Sequence, residues 1–155
     1  MKKGKTKTKS PNRHQARESV LEILYAWHSG EGDNAVLPAL LADRFQEEGR
    51  ESQDQDYVRE ALYGIVDHTE AIDATILKAL KGRSLKSIAQ IEWNVLRLAT
   101  WEMQNRLEIP YRVIINEALE ITRDYADEAA RGFINGVLDK LAKDLRPVEI
   151  NNKEK

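Results

Sequence analysis

Seven cationic side chains in the first seventeen residues, Lys2, Lys3, Lys5, Lys7, Lys9, Arg13 and Arg17, stand without one acid among them. Lysine and arginine at that density perform no covalent chemistry, but they neutralise phosphates and release the counterions condensed on a nucleic acid. The balance of the chain has the opposite sign. Of 24 basic and 26 acidic residues overall, 17 basic and all 26 acidic ones fall after position 17, a net of about −9 against +7 for the leader. The polarity predicts a polyanion at one end and a basic partner elsewhere, and a pI near 6.0 conceals it.

Catalytic constellations are not predicted. With no cysteine there is no disulfide, thiolate ligand or thiol nucleophile, which fits a reducing compartment. His14, His28 and His68 are not spaced with one another as metal ligands, so no metal and no cofactor is expected. Gly4-Lys5-Thr6 imitates the end of a phosphate-binding loop but lacks the earlier glycine that motif requires. Glu117 and Glu120 share a helical face, as solvated or salt-bridged carboxylates ordinarily do. Gly132 and Gly136, four apart, predict close packing of a helix on a neighbour. Asn116 and Asn135 interrupt apolar stretches and are expected to pair with neighbouring backbone.

Positioning these groups is the work of helices. Residues 1–9, nearly devoid of apolar groups, predict a disordered basic arm, and 147–155 a disordered tail. Between them, 10–146 predicts one all-α domain, a compact bundle of six or seven helices. Ser10-Pro11 has the pattern of an N-cap with proline at the first helical position, followed by Ala16, Val20, Ile23, Leu24 and Trp27 and stopped by Gly30 and Gly32. Val36, Leu40, Leu41 and Phe45 mark a second helix, closed by Gly49. The period from Val58 through Ile65 and Ile72 to Leu80 predicts one long third helix, ended by Gly82. A turn near 85–88 precedes a fourth helix through Ile91, Val95, Leu98 and Met103. Pro110 opens a fifth, and Asp127 caps a sixth that ends before Pro147. No segment alternates as a half-buried strand would, and no apolar run approaches the roughly 20 residues that span a bilayer.

Four of these segments carry a resemblance. Ile109-Pro110-Tyr111-Arg112-Val113-Ile114-Ile115-Asn116-Glu117-Ala118 resembles the VPxxVAINEA segment of the bacterial transcription antitermination factor family NusB. Phe133-Ile134-Asn135-Gly136-Val137-Leu138-Asp139 resembles its FxNGVLD segment. Arg13-His14-Gln15-Ala16-Arg17-Glu18, continuing to Leu24-Tyr25, is similar to the family's RxxAR opening followed by LY. Ile91-Glu92-Trp93-Asn94-Val95-Leu96-Arg97-Leu98-Ala99 is similar to its VExAVLRIA helix. The likeness spans 13–146, with His14 and Gln15 where some members have further arginines.

The resemblance implies two three-helix subdomains and a non-enzymatic role, while the absence of cysteine and of an apolar span predicts the cytoplasm. Such proteins bind single-stranded boxA RNA of ribosomal RNA operon transcripts together with NusE, a small-subunit ribosomal protein, within the antitermination complex. Lys9, Arg13, His14, Gln15, Arg17, Tyr25 and Phe133 are the expected RNA-binding residues, through phosphate contact and base stacking. Glu92 and Arg97 on the fourth helix are the expected protein-partner contacts. Two alternatives stand beside this reading. One is a helical adaptor or homodimerising bundle whose basic tail only solubilises it. The other is a stand-alone module presenting RNA for modification, although the chain's end at Lys155 leaves no room for an attached methyltransferase.

Overall fold

The computed structural model describes residues 12–80 and 87–154, and among them the secondary structure is helical, with one isolated bridge between Asn12 and Gln53. Eight α-helices follow in order: α1 Arg13–Ser29, α2 Leu37–Phe45, α3 Gln55–Asp67, α4 Thr69–Ala79, α5 Gln90–Asn105, α6 Tyr111–Thr122, α7 Glu128–Leu145 and α8 Pro147–Glu154. The chain divides into two units, 1–60 and 61–155, with the boundary inside α3. None of the described helices is long and apolar enough to cross a membrane.

In the first unit, α1 buries Ala16, Val20, Ile23, Leu24 and Trp27, the stripe its spacing predicts, and packs on α2. Its cap is Asn12, whose side chain accepts from the Gln15 N–H at 2.9 Å. Ser10 and Pro11, the expected start, lie outside the described residues. Gly30 caps the other end. Gly32, at φ 72°, then sends its N–H back to the Trp27 carbonyl at 2.8 Å, a left-handed turn that glycine adopts without strain.

The loop between α2 and α3 is stapled to α1 by polar groups. Ser19 donates to the buried Gln53 Oε1 at 2.6 Å, and Gln53 Nε2 donates to the Arg44 carbonyl at 2.8 Å. Arg50 reaches Glu22 through two hydrogen bonds of 2.7 and 3.0 Å.

The expected single helix from Val58 to Leu80 is two helices. His68, at φ −129° and ψ 26°, leaves helical geometry, and the Thr69 hydroxyl donates back to the Ile65 carbonyl at 2.8 Å. Periodicity missed the break because Ile65, Ile72 and Ile76 stay buried on both sides of it. The break at Gly82 and the first half of the 85–88 turn lie outside the described residues.

In the second unit, α5 packs on α4, α6 and α7. Every residue from Asn94 to Met103 is buried, as in a helix enclosed by its neighbours. Gly64 on α3 faces Trp101, and a Cβ there would fall 2.2 Å from the indole nitrogen.

The expected tail past 146 is helical through Glu154. Arg146, buried, donates to the carbonyls of Met103, Ile109 and Arg106 at 2.9, 3.0 and 3.1 Å, closing the C-terminal end of α5. Glu149 pairs with that guanidinium and accepts from the Tyr111 N–H at 2.9 Å, capping α6. One i, i+3 pair thus brackets the α5–α6 turn.

The glycine and asparagine expectations are corrected as well. Gly132 and Gly136 are exposed, and a Cβ on either would meet nothing within 4 Å. Asn116 and Asn135 are also exposed, so neither is the buried amide that joins α6 to α7.

Candidate nucleic-acid interface

The opening turn of α1 is held against the start of α3 within the first unit. The Asn12 N–H donates to the Ser52 carbonyl at 2.7 Å, and the Asp54 N–H donates to the Asn12 carbonyl at 3.2 Å. This short bridge fixes where Arg13 leaves the backbone. Asp54 also caps α3, its Oδ1 accepting from the Tyr57 N–H at 3.1 Å.

Arg13 is gripped from two directions. Its Nε and Nη2 donate to Asp54 Oδ2 at 3.3 and 3.2 Å, while the guanidinium carbon lies 4.5 Å from the centre of the Tyr57 ring. One third of the side chain stays exposed, and Nη1 meets no acceptor among the described residues. The arginine is therefore held along one edge and, among the described residues, unbonded along the other. A planar guanidinium held this way is suited to a phosphate or a base edge.

Arg17 differs. It shares the Tyr57 ring, at 5.7 Å, but is only 4% exposed, so it supports the site from beneath instead of presenting an open edge. The i, i+4 spacing predicts the shared face and not the depth, because Tyr57 arrives from a separate helix. Gln15 lies half-buried on the same turn, its Nε2 donating to the Gly49 carbonyl at 3.0 Å.

His14 and Tyr25 occupy another stripe of α1. His14 Nε2 lies 3.7 Å from Glu18, and Tyr25, about three turns farther along, is 52% exposed. Phe133 sits half-buried on α7 in the second unit. Lys9 lies outside the described residues.

Beyond its first turn, α1 becomes an acceptor of arginines. Glu22 takes Arg44 at 2.9 Å and Arg50, with Glu47 bonding both cations. Burial pushes the Glu22 carboxyl up, but hydrogen bonds from Arg50 and Arg44 outweigh it and hold the group below the usual carboxylate range. Burial likewise opposes the charge on Arg50, and Glu22 restores it, leaving the guanidinium above its ordinary value. These two arginines serve the fold.

The protein-partner candidates have internal roles too. Glu92 accepts from the Ala89 N–H at 3.0 Å, capping α5, and is half-buried. Arg97, expected on a polar face, is 7% exposed and clasps Asp73 of α4 at 2.8 and 2.9 Å. The enclosure of α5 by three helices leaves it no solvent face at that position. Sequence reading missed Asp54 and Tyr57 altogether. The available signal was an aspartate three residues before a tyrosine at a helix start, which marks a cap but not the arginine it would hold.

Comparison with known proteins gives a consistent picture. The NusB family model matches residues 14–143. The transcription antitermination protein NusB of Pseudomonas savastanoi pv. phaseolicola is 37% identical over 145 residues, covering 93% of this chain and 85% of that protein. Among solved structures, T. maritima NusB matches with a TM-score of 0.78 and 29% identity, over 94% of this chain and 99% of that one. A chain from the antitermination factors NusB and NusE in complex with dsRNA matches with a TM-score of 0.66 and 28% identity, over 84% and 95%.

Proposed function

Because the chain belongs to the NusB family, we propose that it is a transcription antitermination factor that binds boxA RNA of ribosomal RNA transcripts together with NusE, in the bacterial cytoplasm and without catalytic turnover. The observation that carries the reading is Arg13, pinned at the start of α1 with its Nη1 edge open, directly after a leader of five lysines.

The leader, Lys9 included, supplies sequence-independent attraction to the phosphate backbone. Arg13 supplies a contact of defined direction, with Arg17 and the Tyr57 ring beneath it. Gln15 and His14 add polar edges on the same turn of α1, and Tyr25 and Phe133 offer rings for stacking on unpaired bases. A ribosomal protein is expected to be basic, so the negative charge after position 17 favours its approach while discouraging RNA elsewhere. Glu92 keeps accessible surface for that partner. Arg97 serves it by holding α4 to α5.

A polarisation titration of boxA RNA against a scrambled RNA of equal length, with and without NusE, tests this reading. Tighter binding of boxA, strengthened by NusE, is expected. Equal affinity for both RNAs under both conditions would overturn it in favour of a helical adaptor with a solubilising basic leader.

A further inference from the structure

Asp54 is a counterintuitive neighbour for an RNA-binding arginine, because it cancels part of the charge that phosphate would seek. We infer that Asp54 is a positioning residue that trades RNA affinity for selectivity: by fixing the Arg13 guanidinium on the Tyr57 ring, it limits that arginine to one donor direction. The inference rests on the RNA-binding reading above.

The geometry separates two roles of one carboxylate. Oδ1 caps α3 through the Tyr57 N–H, whereas Oδ2 takes both Nε and Nη2 of Arg13. Only the second role concerns RNA. Asp54 is mostly covered, its side chain 17% exposed, so the pair is less screened than a fully exposed one. The ring face at 4.5 Å closes one side of the guanidinium plane. What remains is the far edge: the two Nη1 N–H groups and the second Nη2 N–H. An unrestrained arginine would follow any phosphate within reach. A restrained one rewards only the strand path that brings an acceptor to that edge.

Asp54→Asn isolates the effect. Asparagine is an equally good helix cap and keeps an oxygen for the Tyr57 N–H, but its amide nitrogen then faces Arg13 donor to donor. Release of the arginine and loss of one negative charge should tighten binding to scrambled RNA by about threefold, the scale of one screened charge at several ångströms. The preference for boxA over scrambled RNA should fall about tenfold, the scale of one charge-assisted hydrogen bond made in register.

Asp56→Asn provides the control for charge alone. Asp56 lies on the same turn, is fully exposed and meets Arg59 at 3.4 Å, away from Arg13. It should tighten both RNAs alike and leave their ratio unchanged. Asp54→Ser, which also retains a cap, should reproduce the asparagine result, and thermal melting should show all three variants folded. An unchanged boxA preference in Asp54→Asn and Asp54→Ser would overturn the inference while leaving RNA binding intact. An equal loss of preference in Asp56→Asn would overturn it too, by reducing the effect to charge. If the parent chain itself shows no preference, the RNA-binding reading falls and takes this inference with it.

Discussion

A glycine's meaning depends on what its missing Cβ would touch, and here two kinds can be separated by stability. At Gly64 a methyl group would overlap the Trp101 indole, so Gly64→Ala is expected to cost about 1–3 kcal/mol, the usual penalty for overpacking. At Gly136 the same change meets open space inside α7 and should stabilise by up to about 1 kcal/mol. Urea unfolding of the two variants checks both signs, and stabilisation by Gly64→Ala would refute the close approach. Helix-interior glycine predicts close packing at 132 and 136 by a general rule, while the position that obeys the rule, Gly64, gave no sign among its apolar neighbours. The arginines teach the same lesson. Spacing places Arg13 and Arg17 on one face, but their different depths are set by Tyr57 and Asp54, more than thirty residues away.

Between elements, polar brackets do what periodicity cannot announce. The Arg146–Glu149 pair holds the ends of both α5 and α6, and a lysine could not satisfy three carbonyls in the fork geometry of a guanidinium. Arg146→Lys should therefore cost about 2–4 kcal/mol in urea unfolding, and more than Glu149→Gln, which keeps an acceptor for Tyr111. Equal costs would show that the carbonyl contacts contribute little. The Glu22 network makes a pH statement. Its carboxyl is held lower in the folded chain than in the unfolded one, so its stabilisation is present above about pH 4.5 and is lost as pH falls through the folded value. Glu22→Gln should flatten this part of the acid limb of stability against pH, and an unaltered limb would remove the network from that role. Helix identity was legible for α1, α5, α6 and α7 because each repeats apolar residues at helical spacing. The α3–α4 break and α8 were hidden, the first by an apolar stripe that stays in phase, the second by side chains that act through distant backbone.

Across the whole molecule, charge is distributed more unevenly than the leader-and-body division suggests. Between 18 and 60, three arginines stand against eleven acids, and two of them, Arg44 and Arg50, are committed to Glu22 and Glu47. From 61 to 155, fourteen basic residues nearly balance fifteen acidic ones. The strongest negative density therefore follows the cationic leader directly in sequence, so the proposed electrostatic contact with phosphate is expected at the leader and the first turn of α1. This polarity was legible from residue types alone, whereas the open edge of Arg13 required the fold. The most direct measurement is boxA RNA affinity across a salt series for the parent chain and Arg13→Ala. With about four phosphate contacts on a single strand, the slope of log affinity against log salt should be near −3 for the parent. For Arg13→Ala it should be shallower by about 0.7, with unchanged melting. A salt-independent affinity, or an Arg13→Ala variant with the parent's affinity and slope, would contradict an electrostatic grip at this site.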